Sequence, residues 1–230
     1  MKKLLRLAIC FSAATLPHFW VESKAGIIPR SSLLNLDVPL SWHPVPVKPA
    51  FAQNTFRNDQ VFTRESGNGG QWGGWTKPVY CPPGSWAAGY TMRVEPERGE
   101  GDDTGLNAIT LYCRDRNGRD VDRIMPDPGM WGNWLEDSNC SQGVFMTHFQ
   151  LRVESNRGSG DDTAANSVAF TCGNRSRIES SGTTPWGNWG AWQGSYKRVA
   201  ICGVRAKVES NRGESDDTAL NDLEFTWCRI

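Results

Sequence analysis

One stretch of this chain occurs three times, and that repetition limits the possible folds more than any other feature. Arg93-Val94-Glu95, Arg98-Gly99, Asp102-Asp103-Thr104, Asn107 and Cys113 return as Arg152-Val153-Glu154, Arg157-Gly158, Asp161-Asp162-Thr163, Asn166 and Cys172. They return again as Lys207-Val208-Glu209, Arg212-Gly213, Asp216-Asp217-Thr218, Asn221 and Cys228. The offsets from Arg93 to Arg152 and from Arg152 to Lys207 are 59 and 55 residues. Such a period marks a repeat architecture whose units bury one another, each copy being too small to fold alone.

Within each copy the residues alternate. Tyr90, Met92 and Val94 point one way and Thr91, Arg93 and Glu95 the other; Phe149, Leu151 and Val153, then Val204, Ala206 and Val208, repeat the pattern. Period two with one apolar face is a half-buried strand. A second strand follows, with Ile109 and Leu111, Val168 and Phe170, or Leu223 and Phe225 inward, so each copy contains a hairpin around a Gly- and Asp-rich turn. Upstream of each hairpin stands Trp-Gly-x-Trp: Trp72 to Trp75, Trp131 to Trp134, and Trp186 to Trp189, the last extended to Trp192. No helical period of useful length is present. The economical architecture is all-β, three small sheets about a pseudo-threefold axis.

Of 230 residues, 25 are basic and 25 acidic, and this balance removes the electrostatic footprint of a nucleic-acid binder. Residues 1–25 combine a basic start with an apolar run and read as a secretory signal, too short to span a bilayer. Residues 26–70, rich in Pro, Ser and Asn, read as a poorly ordered linker or processed segment. Residues 71–230 form the repeat domain, with copies at about 71–129, 130–185 and 186–230. Leaving aside Cys10, the cysteines fall two per copy, and in an exported chain they read as three disulfides: Cys81 with Cys113, Cys140 with Cys172, Cys202 with Cys228. The third spacing departs from the other two, because Ser195 stands where a cysteine is due. Cys202 and Cys228 should fall opposite each other on the hairpin.

Trp-Gly-x-Trp, then x-Val-Glu, then Gly-Asp-Asp-Thr-x-Leu-Asn and a strand ending in Cys, three times in that order, resembles the vitelline membrane outer layer protein 1 family. The resemblance covers residues 71–230. It implies a β-prism of three Greek-key sheets and a secreted component of the egg's outer coat or a related extracellular layer. It also implies, as an alternative, a lysozyme-like transglycosylase that builds N-acetylchito-oligosaccharides. Gly105, Ala165 and Ser215 depart mildly from the family's turn sequence.

The acidic pairs Asp102 and Asp103, Asp161 and Asp162, Asp216 and Asp217 carry either a chemical or a structural reading. Clustered carboxylates hold Ca²⁺ or serve as the acid and base of a glycosidase. A feature present in every copy more often shapes the turn that every copy needs, and we assign these six residues to structure. With His148 the single histidine of the repeats, neither a Ser-His-Asp triad nor a zinc site is expected, and no metal or cofactor is assigned. Catalytic residues remain unassigned. Trp72, Trp131 and Trp186 are read as core, Trp42 and Trp86 as exposed loop residues, and Trp75, Trp134, Trp189 and Trp192 as a candidate glycan platform, since indoles stack on sugar rings. Asn174-Arg175-Ser176 is a glycosylation sequon. The expected protein is a secreted coat component, its partners being other coat proteins and N-acetylglucosamine-containing glycans. A soluble lectin is the remaining alternative.

Overall fold

The structure, a computed structural model, describes residues 57–96, 104–154, 165–209 and 219–230. In chain order the strands are β1 (Gln60–Glu65), β2 (Gly74–Trp75), β3 (Val79–Tyr80), β4 (Ser85–Val94), β5 (Leu106–Asp115), β6 (Asp120–Ile124), β7 (Asn133–Trp134) and β8 (Ser138–Asn139). They continue as β9 (Met146–Val153), β10 (Ala165–Cys172), β11 (Arg177–Glu179), β12 (Asn188–Trp189), β13 (Gln193–Gly194), β14 (Val199–Val208) and β15 (Leu220–Arg229).

The three hairpins expected from the alternation are β4 with β5, β9 with β10, and β14 with β15, all antiparallel. Each carries a bulge where the repeated asparagine is skipped by the pairing. Arg93 pairs with Ala108 and Val94 with Leu106; Arg152 pairs with Ser167 and Val153 with Ala165; Lys207 pairs with Asp222 and Val208 with Leu220. Asn107, Asn166 and Asn221 are the extra residues, each fully buried. A bulge reorients the strand beyond it. Glu95 and Glu209, which simple alternation places outward, are therefore buried.

Every hairpin grows into a five-stranded sheet, with orders β6-β5-β4-β7, β11-β10-β9-β12 and β1-β15-β14-β2, while β8, β13 and β3 pair with the same long strands further along. Three consecutive strands with a fourth returning beside the first make a Greek key. The first two sheets follow this order directly and the third reaches the same spatial order with β1 in the third strand's place, so the chain forms the expected β-prism of three Greek-key sheets. The Trp-Gly-x-Trp element of each copy belongs to the sheet of the copy before it: β7 lies on β4, β12 on β9, and β2 on β14. Gly73, Gly132 and Gly187 explain why glycine follows the tryptophan. Their φ angles are 81°, 88° and 82°. A Cβ would stand 2.3 Å from the Val208, Val94 or Val153 backbone, the x-Val-Glu of the neighbouring copy. The two repeated motifs thus pack on each other across a sheet boundary.

The third sheet is closed by β1, which pairs with β15 through Phe62 with Trp227, Thr63 with Thr226 and Arg64 with Phe225. This corrects the reading of 26–70 as linker for its described part, residues 57–70. A single short alternation beside a Pro-rich tract is a weak signal, and its partner lies at the other end of the chain. Arg57 anchors the strand: its buried guanidinium donates to the carbonyls of Cys81 (3.3 Å), Pro82 (3.2 Å) and Ser85 (2.5 Å) and pairs with Asp59 at 2.5 Å.

Inward side chains from all three sheets meet on the prism axis. Tyr90 packs on Phe170 (4.7 Å between ring centroids), Phe170 on Phe225 (5.3 Å) and Phe225 on Phe149 (4.5 Å). The Tyr90 hydroxyl donates to Val168 O at 3.0 Å and accepts from Ser180 N at 3.1 Å, so its burial leaves no polar group stranded. A second cluster holds Trp86, Ala88, Phe145, Ala200, Cys202 and Cys228. Trp86, read as an exposed loop residue, lies in β4 and is buried against Phe145.

The structure contains the three disulfides Cys81–Cys113, Cys140–Cys172 and Cys202–Cys228. Local in sequence, the first two join different sheets in space. The Cys81 amide donates to Cys202 O in the third sheet while Cys113 lies in β5; the Cys140 amide donates to Ala88 O while Cys172 lies in β10. Cys202–Cys228 stays within one sheet, and Cys228 pairs with Ala200, Cys202 itself falling in a bulge. The residue in register with Cys113 and Cys172 is Trp227: Ala87 pairs with Cys113, Met146 with Cys172 and Ile201 with Trp227. Its buried indole donates to Thr147 O at 2.8 Å, so a hydrogen bond and an aromatic ring link two sheets where the other copies use a disulfide.

Candidate functional site

The crossing of each Trp-Gly element onto its neighbour's strand sets up the functional geometry. At the level of x-Val-Glu, the Glu95 carboxylate accepts from Thr104 Oγ1 at 2.7 Å, and Thr104 Oγ1 accepts from Asn107 Nδ2 at 2.6 Å. Asn107 Oδ1 then accepts the Trp131 amide at 3.1 Å. The bulge residue of one copy therefore positions the tryptophan of the next. The equivalent Asn166 accepts from Thr184 Oγ1. Glu95 is thereby held in a hydrogen-bonded structural network. The acidic turn residues Asp102, Asp103, Asp161, Asp162, Asp216 and Asp217 lie outside the described residues, as does Trp42.

Beside this network a cleft of about 470 Å³ opens between two copies of the Trp-Gly element. Trp75 with Thr76 comes from one, Asp127 to Trp131 from the other, and Thr104, Val208, Glu209 and Ala219 complete the lining. Met130 is 69% exposed and Trp131 43%. Trp72 is 49% exposed and Trp186 half-buried, so the expectation that Trp72, Trp131 and Trp186 fill the core is corrected. The physical reason is the positive-φ glycine after each: the backbone packs on the neighbouring strand and turns the ring outward.

The four tryptophans of the candidate platform each have a cation over one ring. Arg93 stands over Trp134 (5.6 Å), Arg152 over Trp189 (5.2 Å), Arg177 over Trp189 and Trp192 (5.3 and 5.7 Å), and Arg205 over Trp75 (4.5 Å). The register explains it, since Arg93 lies opposite Trp134 and Arg152 opposite Trp189. Lys207, opposite Trp75, donates from its ammonium to Gly70 O at 3.3 Å, as the guanidinium groups of Arg93 and Arg152 donate to Gly129 O and Thr184 O. Arg205, two residues back on the same face, covers the ring and holds Glu224 through Nε and Nη2, both at 2.8 Å. Desolvation lowers the pKa of both Arg93 and Arg152.

A second concavity, about 330 Å³, lies on the outer face of the first sheet between Tyr112, Arg114, Arg123, Asp120, Asp122 and Asp137. The Tyr112 hydroxyl donates to Asp137, and Arg123 sits 4.5 Å from the Tyr112 ring. Arg114 holds Asp120 at 2.6 Å and Asn139 at 2.8 Å. Burial first, then the Asp137 hydrogen bond and charge, push the Tyr112 phenol up to about 12. By the repeat offsets, Pro78 and Trp192 stand in the other copies where this one has Asp137. Asp222 also breaks the symmetry, standing where the other copies have Ala108 and Ser167. It is buried, accepts from Ser66 Oγ at 2.5 Å, and burial raises its pKa. Sequence reasoning passed over it, although comparing the three aligned columns would have singled it out.

His148 packs on Tyr196 at 4.1 Å, and burial lowers its pKa. Among the described residues no group of three or more His, Cys, Asp or Glu could hold a metal ion, and no helix is long and apolar enough to cross a membrane. Asn174 is exposed, its Oδ1 accepting from Ser176 N (3.1 Å) and Oγ (2.7 Å).

Three Greek-key sheets around a common core, with tryptophan elements exchanged between neighbours, define a triplicated β-prism protein. The family model described as "Vitelline membrane outer layer protein I (VOMI)" matches residues 62–230, and the chain belongs to that family. It is 39% identical over 180 residues to the vitelline membrane outer layer protein 1 homolog of Homo sapiens, covering 77% of this chain and 88% of the relative. The Mus musculus homolog is 40% identical over 163 residues, covering 70% and 80%. Similar solved structures include a prostate-specific WGA16 glycoprotein lectin (TM-score 0.47, 11% identity, 71% of this chain and 97% of that one). Calystegia sepium agglutinin is another (TM-score 0.47, 13% identity, 74% and 99%).

Proposed function

We propose that the protein is a non-catalytic, glycan-binding component of an extracellular layer, the egg's outer vitelline layer or a related coat. The observation that carries this reading is the cleft between Trp75 and Trp131, where two indoles from different copies flank the polar groups of Thr104, Asp127 and Glu209. Apolar walls with a few fixed polar groups suit a sugar, whose faces are apolar and whose edge hydroxyls need partners. Family membership, three disulfides and the leader sequence support export to an oxidising compartment. Exposed Asn174 would then serve as an N-glycan acceptor, and other coat proteins would be the macromolecular partners.

A second reading, transglycosylation of N-acetylglucosamine oligomers, has one observation in its favour. Asp120, Asp122 and Asp137 share an unsymmetrical cleft, as an acid and base of different environments require. One experiment separates the two. Calorimetric titration with N-acetylchitohexaose, with product lengths followed by mass spectrometry, should show saturable binding, unchanged chain lengths, and about tenfold or greater weakening in Trp131→Ala. Longer or shorter products abolished by Asp137→Asn would select the enzyme, and absence of binding would overturn the glycan reading.

A further inference from the structure

We propose that the Trp-x-x-Trp elements are acceptors for C-linked mannose, the sugar residing on indole C2 of the first tryptophan in each: Trp72, Trp131 and Trp186. Tryptophan followed three residues on by tryptophan is the spacing that secretory-pathway C-mannosyltransferases use, and here it occurs in every copy. Glycine after the first tryptophan is explained by backbone packing, but that packing does not require an indole at the preceding position.

The folded structure leaves room for the modification. A hexose on an indole excludes that ring from a core, and Trp72 and Trp131 are 49% and 43% exposed. Among the described residues, no cation or ring covers Trp72, Trp131 or Trp186, whereas the second tryptophans, Trp75, Trp134 and Trp189, each lie under an arginine. The first indole is the uncovered member of each pair. In the third copy the stack runs on as Arg152, Trp189, Arg177 and Trp192, so Trp189, although Trp192 follows it three residues on, lacks the uncovered ring that marks the acceptors. Attached hydroxyls would also hydrate large exposed apolar rings that otherwise carry an aggregation risk.

The transfer balances without an oxidant. A polyprenyl-phosphate mannose is the donor: its C1–O bond to phosphate breaks, a C1–C2 bond to the indole forms, the indole C2 proton leaves, and polyprenyl phosphate departs.

This inference rests on the export reading, and the test separates the two. The full chain is expressed in an animal cell line with C-mannosyltransferase activity and in the same line lacking it, each with its own leader and with an established export leader. Peptides containing Trp72, Trp131 and Trp186 are then analysed by mass spectrometry. The expected result is a gain of one hexose on each that survives removal of N- and O-linked glycans and is absent without the transferase. Trp134→Phe should remove the hexose from Trp131 and leave that on Trp72. A hexose seen only with the established leader keeps the acceptor assignment and overturns the export reading. Unmodified Trp72 and Trp131 in protein recovered from the medium or secretory membranes of that arm overturn the proposal.

Discussion

Tyr112 shows how one residue departs from its counterparts in an otherwise triplicated fold. Its hydroxyl is tied to Asp137 and its ring lies under Arg123, while the same column holds Thr171 and Thr226. The folded phenol titrates at about 12 against an ordinary 10.0, so the native state keeps this proton longer than the unfolded chain. Stability from this group is complete below pH 10 and is lost as pH rises through about 12. Melting curves across that range should fall more steeply for the wild type than for Tyr112→Phe. If the tyrosinate absorbance that Tyr112→Phe removes from the wild type is found to titrate at the ordinary 10.0, the assignment is contradicted. The repeated residues were visible in the sequence, but their roles were not all visible. Asn107, Asn166 and Asn221 stood out as motif members, yet a bulge exists only between two paired strands. Trp72 and Trp131 were misassigned because apolarity argues for burial, whereas the glycine beside each turned the ring outward.

At the scale of elements, no copy completes its own sheet, because each lends its Trp-Gly strand to the sheet before it. The third sheet takes β2 and β3 from the first copy, with β1 added at its far edge. Arg57 fastens that seam, and its loss would leave Asp59 and three carbonyls without their charged donor. Arg57→Ala should therefore cost about 3 kcal/mol. Urea unfolding is the measurement, and an unchanged midpoint would mean that β1 is not needed to close the third sheet. The desolvated Asp222 supports the same seam through Ser66 at the end of β1. β1 was not legible as a strand because its one partner is β15, and no local rule pairs segments so far apart in sequence.

For the whole molecule, the disulfides act as ties between sheets. Chain entropy alone gives each bridge about 3.5 kcal/mol for loops of this size, so it does not rank them. Position does. Cys81–Cys113 and Cys140–Cys172 join separate sheets, while Cys202–Cys228 joins strands already hydrogen-bonded to each other. Replacing both cysteines of either inter-sheet bridge by serine should lower the melting temperature further than doing so at Cys202 and Cys228. Equal losses on calorimetry would show that loop length, not the sheet boundary, sets their effect. By itself the sequence determined the three copies, their hairpins, the inward faces and the cysteine pairs, because these depend on period, alternation and spacing along one short segment. Only the tertiary structure decided that Trp-Gly strands cross to a neighbour, that β1 completes the last sheet, and that Trp227 stands in for a disulfide. Each of those requires residues from distant segments to compete for the same space around the axis, and that competition has no local signature.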